Sequence, residues 1–360
     1  MFHSLFKINN HSFTEASFIE CIENYLVSDE LYLQDIGQFL KDWVNNEAYI
    51  KVNTSGSTGL PKEIQLNKKH MCNSALATGE YFSCKENTKA LLCLSANYIA
   101  GKMMLVRAMV LGWDIHLVSP ISNPLKNLTT SYDFCAMVPL QVDESLTNLH
   151  KVKKLIIGGA PISSILNKEL QIVTTNCYAT YGMTETITHI AVKKLNNFSG
   201  VISNDNEKLH YHTLPNVSIS QDNRDCLVIN APKVSNELIV TNDIVKLTHG
   251  SSFEWLGRYD NVINSGGVKL FPEQIEEKLS HIIKKRFFVI AVPDDKLGEK
   301  LILVIESDVR LNLSKPDYER CKLVKFEIPK ELFILPKFIE TVSGKIQRKQ
   351  TLALLELLSE

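Results

Sequence analysis

The chain lacks most of the features that would assign a role at once. Across its 360 residues nothing approaches the roughly 18–20 uninterrupted apolar residues of a membrane-spanning helix. The richest stretch, Met103 to Trp113, is broken by Arg107. The opening MFHSLFKINNHSF has no apolar segment of the secretory kind. Its eight cysteines are scattered singly, with no CxxC pair and no zinc-ribbon spacing, which reads as a reduced, cytoplasmic setting. Charge of one sign is also missing. With 39 basic against 40 acidic side chains the net charge is −1, and the short cluster Lys284-Lys285-Arg286 reads as a solvated helix end. That balance argues against a nucleic-acid partner. No HExxH spacing occurs, and His210 and His212 fall in a turn-rich stretch. There is no internal repeat and no low-complexity tract.

What is present is ordinary globular composition, 44% hydrophobic and 22% charged, at a length that suggests two domains. Ser12 and Glu15 have capping-box spacing ahead of Phe18, Ile19, Ile22, Tyr25 and Leu26, which share one helical face. Leu33, Ile36, Phe39, Leu40 and Trp43 predict a second amphipathic helix. Strand candidates then follow at 48–52, 89–94, 114–118, 134–138, 154–157 and 177–178, with helical stretches at 100–111 and 163–172. Such alternation predicts an α/β layer built on largely parallel strands. Residues 198–256 carry short β-like runs at 216–220, 227–230 and 237–240 between Asn/Asp-rich turns. After Gly257-Arg258 the order reads helix (274–283), strand (287–292), strand (301–306). The expectation is a large layered α/β N-terminal domain, 1–257, and a small mobile α+β C-terminal domain, 258–360.

One loop carries recognisable chemistry. TSGSTGLPK sets the hydroxyls of Thr54, Ser55, Ser57 and Thr58 around Gly56 and Gly59 and ends on Lys62. Glycines let backbone N–H groups approach an anion, hydroxyls add donors and lysine adds charge, as a polyphosphate cradle requires. It is not a Walker loop, because GKS/T is absent and Pro61 interrupts the helix start. Taken alone, an ordinary flexible turn explains it equally well.

The loop has company. IIGGAP at 156–161, YGMTE at 181–185, GRYDNVINSGGVKLFPEQIE at 257–276 and TVSGKIQRK at 341–349 follow it in order. Together the five motifs resemble the adenylate-forming superfamily of acyl-CoA synthetases, adenylation domains and luciferases, over nearly the whole chain. The resemblance implies ATP, Mg²⁺ and CoA as co-substrates and cofactor of a small carboxylic acid.

It also implies residue roles. Lys345 resembles the lysine that reaches the carboxylate oxygen and α-phosphate, as an ammonium on a flexible stem suits charge developing at phosphorus. The family's usual Pro-Lys before Thr341 is Ile339-Glu340 here. Glu185 is similar to the Mg²⁺-holding carboxylate, Thr184 to an α-phosphate contact, and Tyr181, beside Gly182, to the ring that covers adenine. Gly158, Gly159, Ala160 and Pro161 resemble the loop along the adenine. Asp243 resembles the ribose-binding aspartate, although the sequence reads TND where the family has TGD; asparagine tolerates left-handed backbone. Arg258 is similar to the arginine at ribose or phosphate, and Asp260 to the hinge about which the small domain swings between two orientations. Gly266 and Gly267 resemble the segment lining the pantetheine tunnel, where no room remains for a Cβ.

The chain departs from the family in being short. Its phosphate loop starts at 54, and the region 198–240 lacks the usual glycine-tyrosine. This compactness, YGMTETITHIA and LCLSANYIAGKMMLVRAMVLGW resemble the o-succinylbenzoate–CoA ligases of menaquinone synthesis. That acid keeps a second carboxylate needing a partner. Arg107 and His189 are the candidates, with Asn97, Tyr98 and Thr188 as hydrogen-bonding groups. For Arg107 a helix-surface arginine and for His189 a satisfied core histidine remain the plain alternatives. Three rivals stay open: another aryl- or acyl-CoA ligase, an adenylation enzyme loading a carrier protein, and an inactive nucleotide-binding module.

Overall fold

A computed structural model describes residues 2–53, 63–198, 210–309, 313–340 and 346–358. A 13-stranded mixed sheet organises most of the chain. Its centre is parallel: Lys7–Ile8, Asp114–Leu117, Lys89–Leu92, Tyr132–Met137, Val152–Ile157 and Asn176–Gly182 lie side by side in that order. Parallel strands are covered on both faces, and these read as continuous apolar runs for that reason. Ala90, Leu92, Phe134, Ala136 and Ile156 enter one buried cluster, while Leu91, Cys135, Met137, Leu155 and Ile157 enter the other. The sheet continues antiparallel from His189–Lys194 through Tyr211–Thr213, Ser252–Arg258, Ile239–Leu247, Cys226–Asn230 and Ser218–Gln221.

Helices α1 (Glu15–Leu26), α2 (Leu31–Val44), α3 (Lys68–Tyr81) and α4 (Ile99–Leu111) lie on the first face. The capping box of α1 is Thr14 with Ser17, not Ser12 with Glu15. Ser12 is occupied in a two-residue strand, so the chain turns into the helix two residues later. Phe18 and Ile22 of α1 are buried as the pattern predicts, whereas Ile19 is exposed. Helix α4 is buried nearly all round. The strand at 177–178 extends to Asn176–Gly182.

A second sheet, with its own cores, begins at Ile263. Gly298–Glu306 is its central strand, antiparallel to Phe287–Asp294 and parallel to Glu331–Leu335. Leu301, Leu303 and Ile305 face one cluster, Ile302 and Val304 the other. The helix Pro272–Leu279 covers the first. Arg286 is not merely a solvated helix end. It pairs with Glu306 at 3.2 Å and with Glu340. No described helix is long and apolar enough to cross a membrane.

Candidate active site

Two of the motifs lie just past the carboxyl ends of parallel strands, where open α/β sheets place their ligands. Residues 158–161 follow strand Val152–Ile157, and residues 183–185 follow Asn176–Gly182. These two strands are neighbours, and Thr180 Oγ1 donates to the Ile157 carbonyl at 3.1 Å. Gly159 has φ +85°, and Ala160 and Pro161 are exposed. The loop 54–59 with Lys62, and Lys345, lie outside the described residues. So the expectation of a polyphosphate cradle and an adenylation lysine there rests on the sequence alone. The strands flanking that loop, Tyr49–Asn53 and Glu63–Asn67, pair antiparallel, so it is the connection of a hairpin.

Three of the residues expected at the nucleotide, Tyr181, Asp243 and Arg258, meet at the Asp243 carboxylate. Tyr181 donates its hydroxyl to Asp243 Oδ2 at 2.6 Å, and Trp255 Nε1 donates to Oδ1 at 3.2 Å. Arg258 Nε stands 3.6 Å from Oδ1. Asp243 and Arg258 are direct cross-strand partners, which is why their side chains meet. Burial, followed by the Asp243 charge, pushes the Tyr181 phenol well above its usual range, so it stays a donor. Its ring lies edge-on to Phe253, with centroids 5.2 Å apart. Asp260 Oδ2 is 3.6 Å from Arg258 and accepts from Asn242 Nδ2 at 3.4 Å. Asn242 has negative φ, so the asparagine is present for its amide rather than for left-handed backbone.

Thr184 and Glu185 occupy a tight 3-10 turn between antiparallel strands. The exposed Glu185 carboxylate makes no hydrogen bond or ion pair among the described residues. An exposed carboxylate without a protein partner fits a hard cation that takes its other ligands from a bound ligand and water. Among the described residues no cluster of three His, Cys, Asp or Glu could hold a metal by itself. The turn is strained: Ile187, β-branched and buried, has φ +66° and ψ −57° while Thr188 N–H bonds the Thr186 carbonyl at 2.7 Å. Gly182 faces His189 across the ladder, and a Cβ there would lie 2.3 Å from the Thr188 carbonyl oxygen.

The acid candidates divide. Arg107 is only 1% exposed and is not a helix-surface arginine. Its Nη2 reaches Thr188 Oγ1 at 3.3 Å and His189 Nδ1 at 3.5 Å, and its Nε donates to Thr78 Oγ1 at 3.3 Å. No carboxylate faces it among the described residues. Burial lowers its pKa to about 10. Burial, then Arg107, pushes His189 well below the usual histidine range, so it is neutral, and its Nε2 is buried without a partner among the described residues. A half-open cavity of about 190 Å³ lies against His189 and Ile190, walled by α3 and by Leu214, Val217 and Val234. Asn97 is not in this cluster; its amide is held by Asp35 of α2 at 2.7 Å. Tyr98, 60% exposed, precedes α4, roughly 13 Å along the helix from Arg107.

Gly266 and Gly267 form the two-residue turn joining Ile263–Ser265 to Val268–Leu270, with φ +56° and +81°. Backbone hand favours glycine at both positions; a Cβ on Gly267 meets nothing within 4 Å, while one on Gly266 would lie 3.2 Å from Leu297 Cδ2. Sequence reasoning missed Trp255, Thr78, Asp35 and Arg224. None sits in a motif, and each acts through a partner distant in sequence.

The family model for "AMP-binding enzyme" matches residues 38–222, just over half the chain. A 2-succinylbenzoate–CoA ligase of Lactococcus lactis is 23% identical over 86% of this chain and 72% of its own length. The Escherichia coli protein of that name is 24% identical over 82% and 66%. This chain thus spans about two thirds of the length of the E. coli relative. Among solved structures, an acyl-CoA synthetase (AMP-forming)/AMP-acid ligase II-like protein from Dyadobacter fermentans is 35% identical, with TM-score 0.60, covering 91% of this chain and 95% of that one. O-succinylbenzoate coenzyme A synthetase from Bacillus subtilis, in complex with ATP and magnesium ion, superposes with TM-score 0.68 at 21% identity, covering 84% and 69%.

Proposed function

This chain belongs to the AMP-binding enzyme family, among the AMP-forming acid–CoA ligases, and from that membership we propose that it joins 2-succinylbenzoate to CoA through an acyl-adenylate. One observation carries the choice of acid: a fully buried guanidinium, Arg107, with no acidic partner among the described residues and a neutral histidine beside it. A buried charge left alone is costly, and a ligand carboxylate supplies what the fold withholds. The names of the curated relatives support the same acid.

The reaction balances in two steps. A carboxylate oxygen of the acid attacks the α-phosphorus of ATP, forming a P–O bond and expelling pyrophosphate. The CoA sulfur then attacks the acyl carbon, forming the thioester and releasing AMP. The work of the protein is positioning and charge stabilisation. Lys345 neutralises charge at the α-phosphate; Thr54, Ser55, Ser57, Thr58 and Lys62 hold the β- and γ-phosphates; Thr184 contacts the α-phosphate. Asp243 accepts from the ribose hydroxyls. Glu185 would hold Mg²⁺, which would screen the phosphate charge. The second carboxylate of the acid meets Arg107 and Thr188, and its carbon skeleton lies towards His189. Residues 258–360 rotate about Asp260 between the two steps, carrying Lys345 in for the first and Gly266-Gly267 in for the second. The reaction takes place in the cytoplasm.

The test is release of AMP and pyrophosphate with MgATP, CoA and 2-succinylbenzoate, with benzoate and a fatty acid as controls. CoA-dependent turnover confined to 2-succinylbenzoate is expected. Turnover with another acid discards the substrate and keeps the ligase, while silence with every acid discards both.

A further inference from the structure

We propose that Arg224 is a positioning residue that aims Asp243 at the ribose; the proposal rests on the ligase reading above. Residues 241–243 lie where the sheet ladder slips. Val240 pairs with Val228 and Ile244 with Cys226, so three residues stand opposite Leu227 alone. A bulge of this kind leaves backbone groups without ladder partners, and something else has to hold them. Thr241 Oγ1 donates to the Leu227 carbonyl at 2.8 Å and accepts from the Asp243 N–H at 3.1 Å. The remaining support comes from Arg224.

Arg224 sits in the turn between Ser218–Gln221 and Cys226–Asn230 and is itself fixed there. Asp222 accepts its backbone N–H at 2.8 Å and its Nε at 2.9 Å, and also accepts the Cys226 N–H at 3.0 Å. The guanidinium also reaches the bulge: Nη1 donates to Asn242 Oδ1 at 2.9 Å, and Nη2, which pairs with Asp222 Oδ2 at 2.7 Å, donates as well to the Thr241 carbonyl at 3.1 Å. Its central carbon stands 5.1 Å from the Tyr259 ring centroid. A planar fork with five donors suits three such directions at once, which a lysine cannot match. The same Asn242 amide donates to Asp260, so one guanidinium braces both the two residues before Asp243 and the turn after Arg258. A glycine at 242 has no side-chain amide to join this network, so with TND in place of TGD the brace gains its links to Asn242 Oδ1 and on to Asp260.

The experiment compares AMP with 2′,3′-dideoxy-AMP by titration calorimetry on the full chain, for wild type, Arg224→Ala and Arg224→Gln. Wild type is expected to prefer AMP, because only AMP offers hydroxyls to Asp243. Each variant is expected to lose about tenfold in AMP affinity, with dideoxy-AMP unchanged, so the preference collapses. Arg224→Gln keeps a polar turn and serves should alanine not fold. A lowered melting temperature with the AMP preference intact would make Arg224 a turn brace only and overturn the proposal. Failure of wild type to bind either nucleotide overturns instead the ligase reading on which it rests.

Discussion

The Tyr181 hydroxyl and the Asp243 carboxylate, 62 residues apart in sequence, are joined by a 2.6 Å hydrogen bond. That bond links the strand leading into the Thr184–Glu185 turn to the strand carrying Asp243. Trp255 and Arg258 approach the other oxygen. Tyr181→Phe removes one donor and leaves Oδ2 short of a partner. The KM for ATP should rise about tenfold, with the KM for the acid unchanged, as steady-state kinetics on both substrates would show. A rise for the acid instead would place Tyr181 in the wrong half of the site.

Arg107 makes stability and function pull apart. An unpaired buried cation destabilises the fold that holds it, so an unbranched apolar replacement relieves that cost. Arg107→Met should therefore melt at the same temperature as wild type or higher, while the KM for 2-succinylbenzoate rises about a hundredfold. Thermal melts and kinetics on one preparation decide it. A variant that melts lower and still takes the acid normally shows that Arg107 serves packing.

Ile187 inverts a usual ranking. Glycine in place of alanine ordinarily costs about 1 kcal/mol through the unfolded chain. At φ +66° alanine keeps the steric strain and glycine removes it. Both lose the burial of the isoleucine side chain, so both variants are less stable than wild type. Ile187→Gly should nonetheless be more stable than Ile187→Ala by about 1 kcal/mol in urea unfolding. The ordinary order would mean that the turn relaxes in solution.

The proposed role of Lys345 is tested by taking the two steps apart. Lys345→Ala should slow acyl-adenylate formation by about two to three orders of magnitude. Thioester formation from a supplied acyl-adenylate should remain at the wild-type rate. Equal losses in both, read by single-turnover quench, would exclude the two-orientation mechanism.

Sequence was most informative where burial is two-sided or chemistry is contiguous. Leu91-Leu92, Cys135-Ala136 and Ile156-Ile157 read as strands because each neighbouring pair feeds opposite cores. The family was legible because its motifs sit in runs of consecutive residues. What stayed hidden depends on partners remote in sequence. Ser12 and Glu15 have the right spacing for a cap, yet the two-strand pairing of Lys7–Ile8 with His11–Ser12 takes Ser12 first. Glu331–Leu335 is a strand only because Gly298–Glu306 lies beside it in parallel. Nothing local distinguishes Arg224 from a surface arginine; the bulge that it supports arises from register. Gly266 and Gly267 were legible as glycines that matter, for a reason of backbone hand that the sequence does not display.

The small sheet carries its own titration. Glu276 accepts the Val289 N–H at 2.8 Å and pairs with Arg348 Nη2 at 2.8 Å, and Arg348 also donates to the Val289 carbonyl at 3.3 Å. Arg348 opens the helix that follows the TVSGK motif, so its pair with Glu276 fastens that helix to Pro272–Leu279 and its bond to the Val289 carbonyl fastens it to the sheet. Burial nevertheless dominates, with Glu273 adding to it against the pull of Arg348 and the Val289 amide, and the carboxyl rises to about 7 from an ordinary value of 4.5. A carboxyl whose folded value is raised binds its proton more tightly in the folded state. Its contribution to stability is therefore full below about pH 4.5 and is lost as the pH rises through about 7. Glu276→Gln keeps the neutral shape and does not titrate. In urea unfolding from about pH 5 to about pH 8, wild type should lose on the order of 2–3 kcal/mol relative to Glu276→Gln. A difference between the two proteins that stays constant with pH would mean that Arg348 and the Val289 amide hold Glu276 ionised, and that the helix after Lys345 is fastened by a permanent ion pair.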